Sequence, residues 1–286
     1  MIQALAGNGI RRSLTATTLV LVMVGATAGS ASAGSAVFDC HARWSKSPQS
    51  TENTFSESWR LEPGQTIRIR GTNGGIHAEA ADGDEVEVVA TKRWRDGDPS
   101  TVRVESYEDE DGVTVCALYP GEECEDEQHG SSGSKNGNHN DISVEFEVRV
   151  PSGIRLVAHT VNGGIEVETL DGPVEATTVN GSVEVRTHGL CQATTVNGSI
   201  HAALGASSWD DEIAFTTVNG AISVQFPHRV NARISASTMN GSIASDFPVK
   251  VEHVSKKKLY GTLGHGGGGA LMLHTVNGNI ELRSED

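Results

Sequence analysis

Aromatic side chains are few in this sequence, with four Trp, three Tyr and six Phe among 286 residues. No long run shows the 3.6-residue apolar spacing of an amphipathic helix. The first shortage leaves no clustered aromatic platform for a sugar ring, and the second argues against a helical fold. Basic side chains are outnumbered, 22 against 37 acidic. That balance repels nucleic acid and anionic lipid wherever salt leaves charge unscreened, so no nucleic-acid partner is expected. Beyond the N-terminus no apolar run approaches the roughly 20 residues of a membrane span, so none is expected in the mature chain. Familiar catalytic frames are missing as well: there is no G-x-S-x-G, no phosphate loop and no Cys/His pairing in a recognisable context. No catalytic residue and no cofactor are expected.

What is present begins with a leader. "RR" at Arg11 and Arg12 precedes the apolar "SLTATTLVLVMVGATAG" and the small-residue "ASA" at Ala31 to Ala33. That order of charged, apolar and cleavable segments reads as a signal peptide over residues 1–33, and implies export to the periplasm, the cell surface or the medium. The twin-arginine pattern is incomplete, which favours ordinary secretion. Without Arg11 and Arg12, 20 basic side chains face 37 acidic ones, a formal net charge of −17. There are four cysteines. In an oxidising compartment Cys116, at the end of "VTVCALYP", is expected to bridge to Cys124 eight residues later. Cys40 with Cys191 is the weaker remainder, since Cys191 stands in an apolar column where a thiol packs as a small hydrophobe. "VFD" before Cys40 is not a lipid-attachment pattern.

Alternating runs such as "EVEVVA", "ISVEFEVRV" and "GIEVET" mark half-buried strands and an all-β protein. A repeat organises them. N-G recurs at Asn73, Asn162, Asn180, Asn197, Asn219, Asn240 and Asn277, with spacings of 18, 17, 22, 21 and 37 from Asn162 onward, the last reading as two units with one degenerate. Three residues after these asparagines stand Ile76, Ile165, Val183, Ile200, Ile222, Ile243 and Ile280. Four before them, from Asn162 onward, stand Ala158, Ala176, Ala193, Phe215, Ala236 and Leu273. Each side of N-G is thus a strand with one buried and one wet face. The N-G pair is read as a sharp corner that uses the positive φ open to Gly and tolerated by Asn. Three of the asparagines head N-G-S, formally a glycosylation acceptor, but Gly164, Ala221 and Asn279 replace the Ser without disturbing the pattern. The small buried Ala column and the near-identical Thr-Val-Asn-Gly corners favour a single-domain β-solenoid of stacked two-strand coils, each of about 17–22 residues, over an antiparallel meander of N-G hairpins.

These copies occur together with "VRVPSGIRL", "LDGPVEA", "SDFPV" and "YGTLGHGGGG" followed by "LHTVNGNIEL". In this the chain resembles the bacterial putative-adhesin family of β-strand-repeat envelope proteins, a domain of unknown function, over about Gln65 to Arg283. The resemblance implies a β-solenoid-like domain in the cell envelope and offers no catalytic residues to carry over. The expected organisation is a signal peptide at 1–33, an N-terminal cap or partly ordered lead-in at 34–64, and a β-repeat domain at 65–286 with a flexible acidic loop at 120–141.

Several side chains invite chemistry. The acidic runs "EDEDG" (Glu108 to Gly112) and "EECEDEQH" (Glu122 to His129) hold hard ligands but no calcium-loop spacing, and read as solvated loop with no metal expected. Glu166, Glu175 and Glu184 point outward on successive strands, as the carboxylates of a polysaccharide-cleaving β-helix would. Outward Glu is also the ordinary way to keep a sheet wet. "KKK" at Lys256 to Lys258 is the one basic cluster. The expected function is a non-catalytic, exported, adhesin-like binding or scaffolding protein whose partner is an envelope polymer or protein not identified by the sequence. An envelope-stress or regulatory accessory and a polysaccharide-active enzyme are the alternatives.

Overall fold

The structure, a computed structural model, describes residues 53–124, 141–265 and 268–285, all within one compact unit, Ala42–Asp286. Residues 1–33, read above as a signal peptide, Cys40 and most of the acidic segment at 120–141 lie outside the described residues. The chain makes β1 (Thr54–Trp59), β2 (Thr66–Arg70), β3 (Ile76–Ala80) and β4 (Val86–Arg93). After one 3-10 turn at Pro99–Thr101 come β5 (Arg103–Asp109), β6 (Gly112–Leu118) and β7 (Ser143–Val150). Two-strand coils follow: β8 (Arg155–His159) with β9 (Ile165–Leu170), β10 (Val174–Thr177) with β11 (Val183–Thr187), and β12 (Cys191–Thr194) with β13 (Ile200–Leu204). Next are β14 (Glu212–Asn219) with β15 (Ile222–Phe226), then β16 (Ala232–Asn240) with β17 (Ile243–Ser245). A hairpin of β18 (Val249–Val254) and β19 (Lys258–Leu263) leads to the last coil, β20 (Ala270–Asn277) with β21 (Ile280–Ser284).

This is an all-β solenoid of two sheets. One has ten strands in the order β1-β4-β7-β3-β9-β11-β13-β15-β21-β17, and the other eleven, β18-β19-β16-β20-β14-β12-β10-β8-β2-β6-β5. Every N-G joins a strand of the second sheet to one of the first, so the corners are not hairpins and the strands flanking them stack in parallel. Like residues therefore lie over like: Ala176 pairs with Ala158 on one side and Ala193 on the other, and Val183 with Ile165 and Ile200. These side chains are buried to 2% exposure or less, and each such burial of a large aliphatic contributes about 1.5–3 kcal/mol. The narrow coils keep Ala in the centre. The wider coil of the 22-residue period instead carries Phe215 there, and its longer connection brings Trp209 to stack on Phe226 at 5.6 Å. The one-residue difference between the 18- and 17-residue periods is taken up in β9. There the register slips against β11 between Val185 and Thr187, and Thr169 adopts a φ of 37°, as a β-bulge requires.

The spatial order is not the chain order at either end. Between Asn240 and Asn277 the chain forms the antiparallel hairpin β18/β19 where the spacing suggested a degenerate coil. The final coil then returns inside the stack: β20 pairs in parallel with both β14 and β16, and β21 with both β15 and β17. At the other end β6 and β7 flank β2 and β3 from outside. There β1, β4 and β5 add antiparallel edges, which end the regular stack.

The asparagine ladder and the candidate binding faces

The corner residues form two continuous columns of hydrogen bonds. Each Asn side-chain amide donates to the Asn Oδ1 of the neighbouring coil, in the spatial order Asn240, Asn277, Asn219, Asn197, Asn180, Asn162, Asn73, at 2.7–2.9 Å. Beside it Thr160, Thr178, Thr195, Thr217, Thr275 and Thr238 donate their hydroxyls to Gly carbonyls of adjacent coils, at 2.9–3.0 Å. These threonines are 4% exposed or less, so the bonds satisfy hydroxyls that would otherwise cost about 1–3 kcal/mol each.

The corner differs from its expected geometry. None of the seven asparagines has a positive φ, and of the glycines that follow them only Gly74 does, at 126°. Close approach is what demands glycine. A Cβ on Gly198 would lie 1.9 Å from the Gly181 carbonyl oxygen, and one on Gly278 would lie 1.8 Å from that of Gly220. The backbones of successive corners occupy the space a side chain would need.

Both column ends have their own caps. The last free Gly carbonyl, Gly241 O, accepts from Lys257 Nζ at 2.9 Å, which gives the middle of the "KKK" cluster a structural role and places a charged side chain at the edge of the repeat. Lys257→Met is expected to lower stability by about 1 kcal/mol, read as a fall in Tm with an unchanged circular dichroism spectrum; no change would show that water serves the carbonyl equally well. At the opposite end the Tyr119 hydroxyl donates to Ile142 O at 2.8 Å and to Asn73 O at 3.3 Å. Burial, foremost, pushes this phenol up to about 12. Tyr119 precedes the acidic insertion, and Cys116 and Cys124 are joined in a disulfide at its start, with Cα atoms 5.9 Å apart.

Cys191 sits unbridged in the apolar column, registered against Val174, where burial pushes its thiol well above the ordinary range. Iodoacetamide on the folded protein is expected to leave Cys191 unmodified, and to reach Cys124 only after reduction, as peptide mass spectrometry would show. Rapid labelling of Cys191 would contradict its burial.

The carboxylates suspected of chemistry are spread out. Glu166 and Glu184 are neighbours on the outer face of the ten-stranded sheet, whereas Glu175 lies on the other sheet and is held by Arg155 at 2.7 Å. Arg186 pairs with Glu184. On the second edge of the coils Asp171 Oδ1 and His188 Nδ1 are 2.7 Å apart, and Ser152 donates to Asp171 Oδ2. These contacts, His188 first, hold the Asp171 carboxyl below its usual range. His159 and His274 continue the outward row Thr177, Thr194, Thr216 on the eleven-stranded sheet, and Ser237 follows His274 at 2.8 Å. The row has a regular spacing of about 4.8 Å. Sequence spacing did not reveal the meeting of His77 with Glu166 and Glu168, because the outward column shows the three as unrelated wet positions.

The family model that describes the Toastrack DUF4097 domain matches residues 131–283. The chain belongs to the Toastrack DUF4097 family. The Toastrack match spans most of the corner repeat and leaves β1 to β6 outside it. Among solved structures, the chain is similar to a putative cell adhesion protein from Clostridium sporogenes ATCC 15579, at 10% identity over 81% of this chain and 100% of that one, with a TM-score of 0.42. It is also similar to putative adhesins from Bacteroides fragilis NCTC 9343 (11% identity, 82% and 100% coverage, TM-score 0.27) and Parabacteroides merdae ATCC 43184 (9% identity, 81% and 97% coverage, TM-score 0.28). No curated protein matches the chain.

Proposed function

We propose that this Toastrack protein is a non-catalytic, exported envelope protein that binds or scaffolds a repetitive partner through the outer faces of its solenoid. The observation that carries the reading is the in-register row of polar side chains on the outer face of the eleven-stranded sheet. His159, Thr177, Thr194, Thr216, His274 and Ser237 present polar groups at one strand spacing and in register. Such a row meets a polymer of similar period at several points at once, and weak contacts in series add up to avidity without any deep pocket. The N-terminal segment read as a signal peptide and the Cys116–Cys124 disulfide fit an oxidising envelope compartment.

Co-sedimentation with isolated cell-envelope polymers tests this. Binding should strengthen with polymer length, and the double substitution Thr194→Lys with Thr216→Lys should weaken it by about tenfold or more. Equal affinity for monomer units and polymer, or binding indifferent to the row, would contradict the reading. Release of reducing ends from the polymer would establish an enzyme instead.

A further inference from the structure

We propose that His77, Glu166 and Glu168 form a binding site for a divalent transition metal ion of the zinc class. The parallel register of β3 on β9 sets His77 beside Glu166 and Glu79 beside Glu168. All of these side chains point to the outer face of the ten-stranded sheet. One donor atom from each of His77, Glu166 and Glu168 lies within 4.8 Å of the other two, and His77 Nδ1 is 3.7 Å from Glu166 Oε2. Donor atoms of tetrahedral zinc lie roughly 3.4 Å apart, given bonds of about 2.0–2.2 Å. Rotation of these solvent-exposed side chains closes the difference with no backbone change, since the strands themselves are fixed by the ladder.

The charge pattern around the site supports it. Glu79 and Glu87 share Arg149, Glu175 has Arg155, Glu184 has Arg186 and Glu281 has Arg283. Glu166 and Glu168 have no Arg or Lys partner among the described residues; their neighbour is the imidazole of His77. Parallel stacking forces carboxylates of adjacent coils to within one strand spacing, which is unfavourable for like charges. Arginines offset that repulsion at Glu79, Glu87, Glu175, Glu184 and Glu281, whereas Glu147, registered against His77 from β7, also has no basic partner among the described residues. Here a cation held by the imidazole and both carboxylates would offset it. An imidazole in the donor set favours zinc, nickel or copper over magnesium and calcium, which prefer all-oxygen sites. Three protein donors on one open face leave a fourth coordination position toward solvent, available to water or to a donor group of a binding partner.

The test is isothermal titration of tag-free, metal-stripped protein with zinc chloride, beside magnesium and calcium chloride. Zinc should saturate one site per chain, and magnesium and calcium should give no saturable heat. His77→Ala and Glu168→Gln should each weaken zinc binding by about tenfold or more, with circular dichroism unchanged because both side chains are at the surface. His201→Ala, in the same outward row on β13, should bind zinc as the parent does. Absence of saturable zinc binding, or zinc binding that survives His77→Ala unchanged, would overturn the proposal. So would a loss on His201→Ala as large as that on His77→Ala.

Discussion

Deleting residues 268–286 is expected to collapse the C-terminal part of the stack. This segment supplies β20 and β21, which sit between β14/β15 and β16/β17, so its loss removes a middle layer. Leu271, Leu273, Ile280 and Leu282 are each 1% exposed or less, and their burial contributes about 6–12 kcal/mol together. That is comparable to the whole stability of an ordinary domain, about 5–15 kcal/mol. The truncated chain should expose Ala232 to Leu263 to limited proteolysis while the coils from β8 to β13, whose neighbours remain, stay protected in hydrogen exchange. A truncated chain that melts with the full-length chain and resists protease equally would mean that β16 does not depend on β20.

Gly198→Ala should be among the most damaging single methyl additions in the repeat. The added Cβ would meet the Gly181 carbonyl oxygen at 1.9 Å and its carbonyl carbon at 2.5 Å. Both are backbone atoms locked in the parallel ladder, so no side chain can swing away. Separating the two corners strains the Asn197–Asn180 bond and the Thr195 bond to the Gly181 carbonyl at the same time. The expected cost is about 3 kcal/mol, and at roughly 2–4 °C per kcal/mol the fall in Tm is about 6–12 °C. Gly83→Ala is the control, for nothing lies within 4 Å of its added Cβ. Equal melting of the two variants would show that the corners are looser than the ladder distances indicate.

The same glycines show where sequence reasoning stopped. The recurrence of N-G and the Ile three residues later revealed the coils, since a buried column leaves an apolar signature whatever the corner's dihedral angles. It could not separate a glycine needed for positive φ from one needed for closeness, because both demands select the same residue. The place of the last coil was hidden for a related reason. Thr-Val-Asn-Gly at Asn277 matches Thr-Val-Asn-Gly at Asn219 and Thr-Met-Asn-Gly at Asn240, so any of these corners fits against any other. The outcome depends on the β18/β19 hairpin, which occupies the outer flank of β16 and leaves the inner flank to β20. Lys257 belongs to that hairpin connection, and its bond to Gly241 is what "KKK" alone could not show. The metal-site residues were invisible because the register brings His77 to Glu166 across 89 positions of sequence, where no short motif reaches.

Disulfide trapping tests the order of the coils most directly. His274 stands between Thr216 and Ser237 on the outer face of the eleven-stranded sheet. Adjacent parallel strands are about 4.8 Å apart, within the Cα separations a disulfide spans, while strands two apart are about 9.6 Å away and beyond them. Three double variants would be oxidised under mild conditions: Thr216→Cys with His274→Cys, His274→Cys with Ser237→Cys, and Thr216→Cys with Ser237→Cys. The intercalated solenoid predicts that the first two pairs form intramolecular disulfides and the third does not. A disulfide in the third pair, with none in the second, would place β16 directly on β14 and contradict the account.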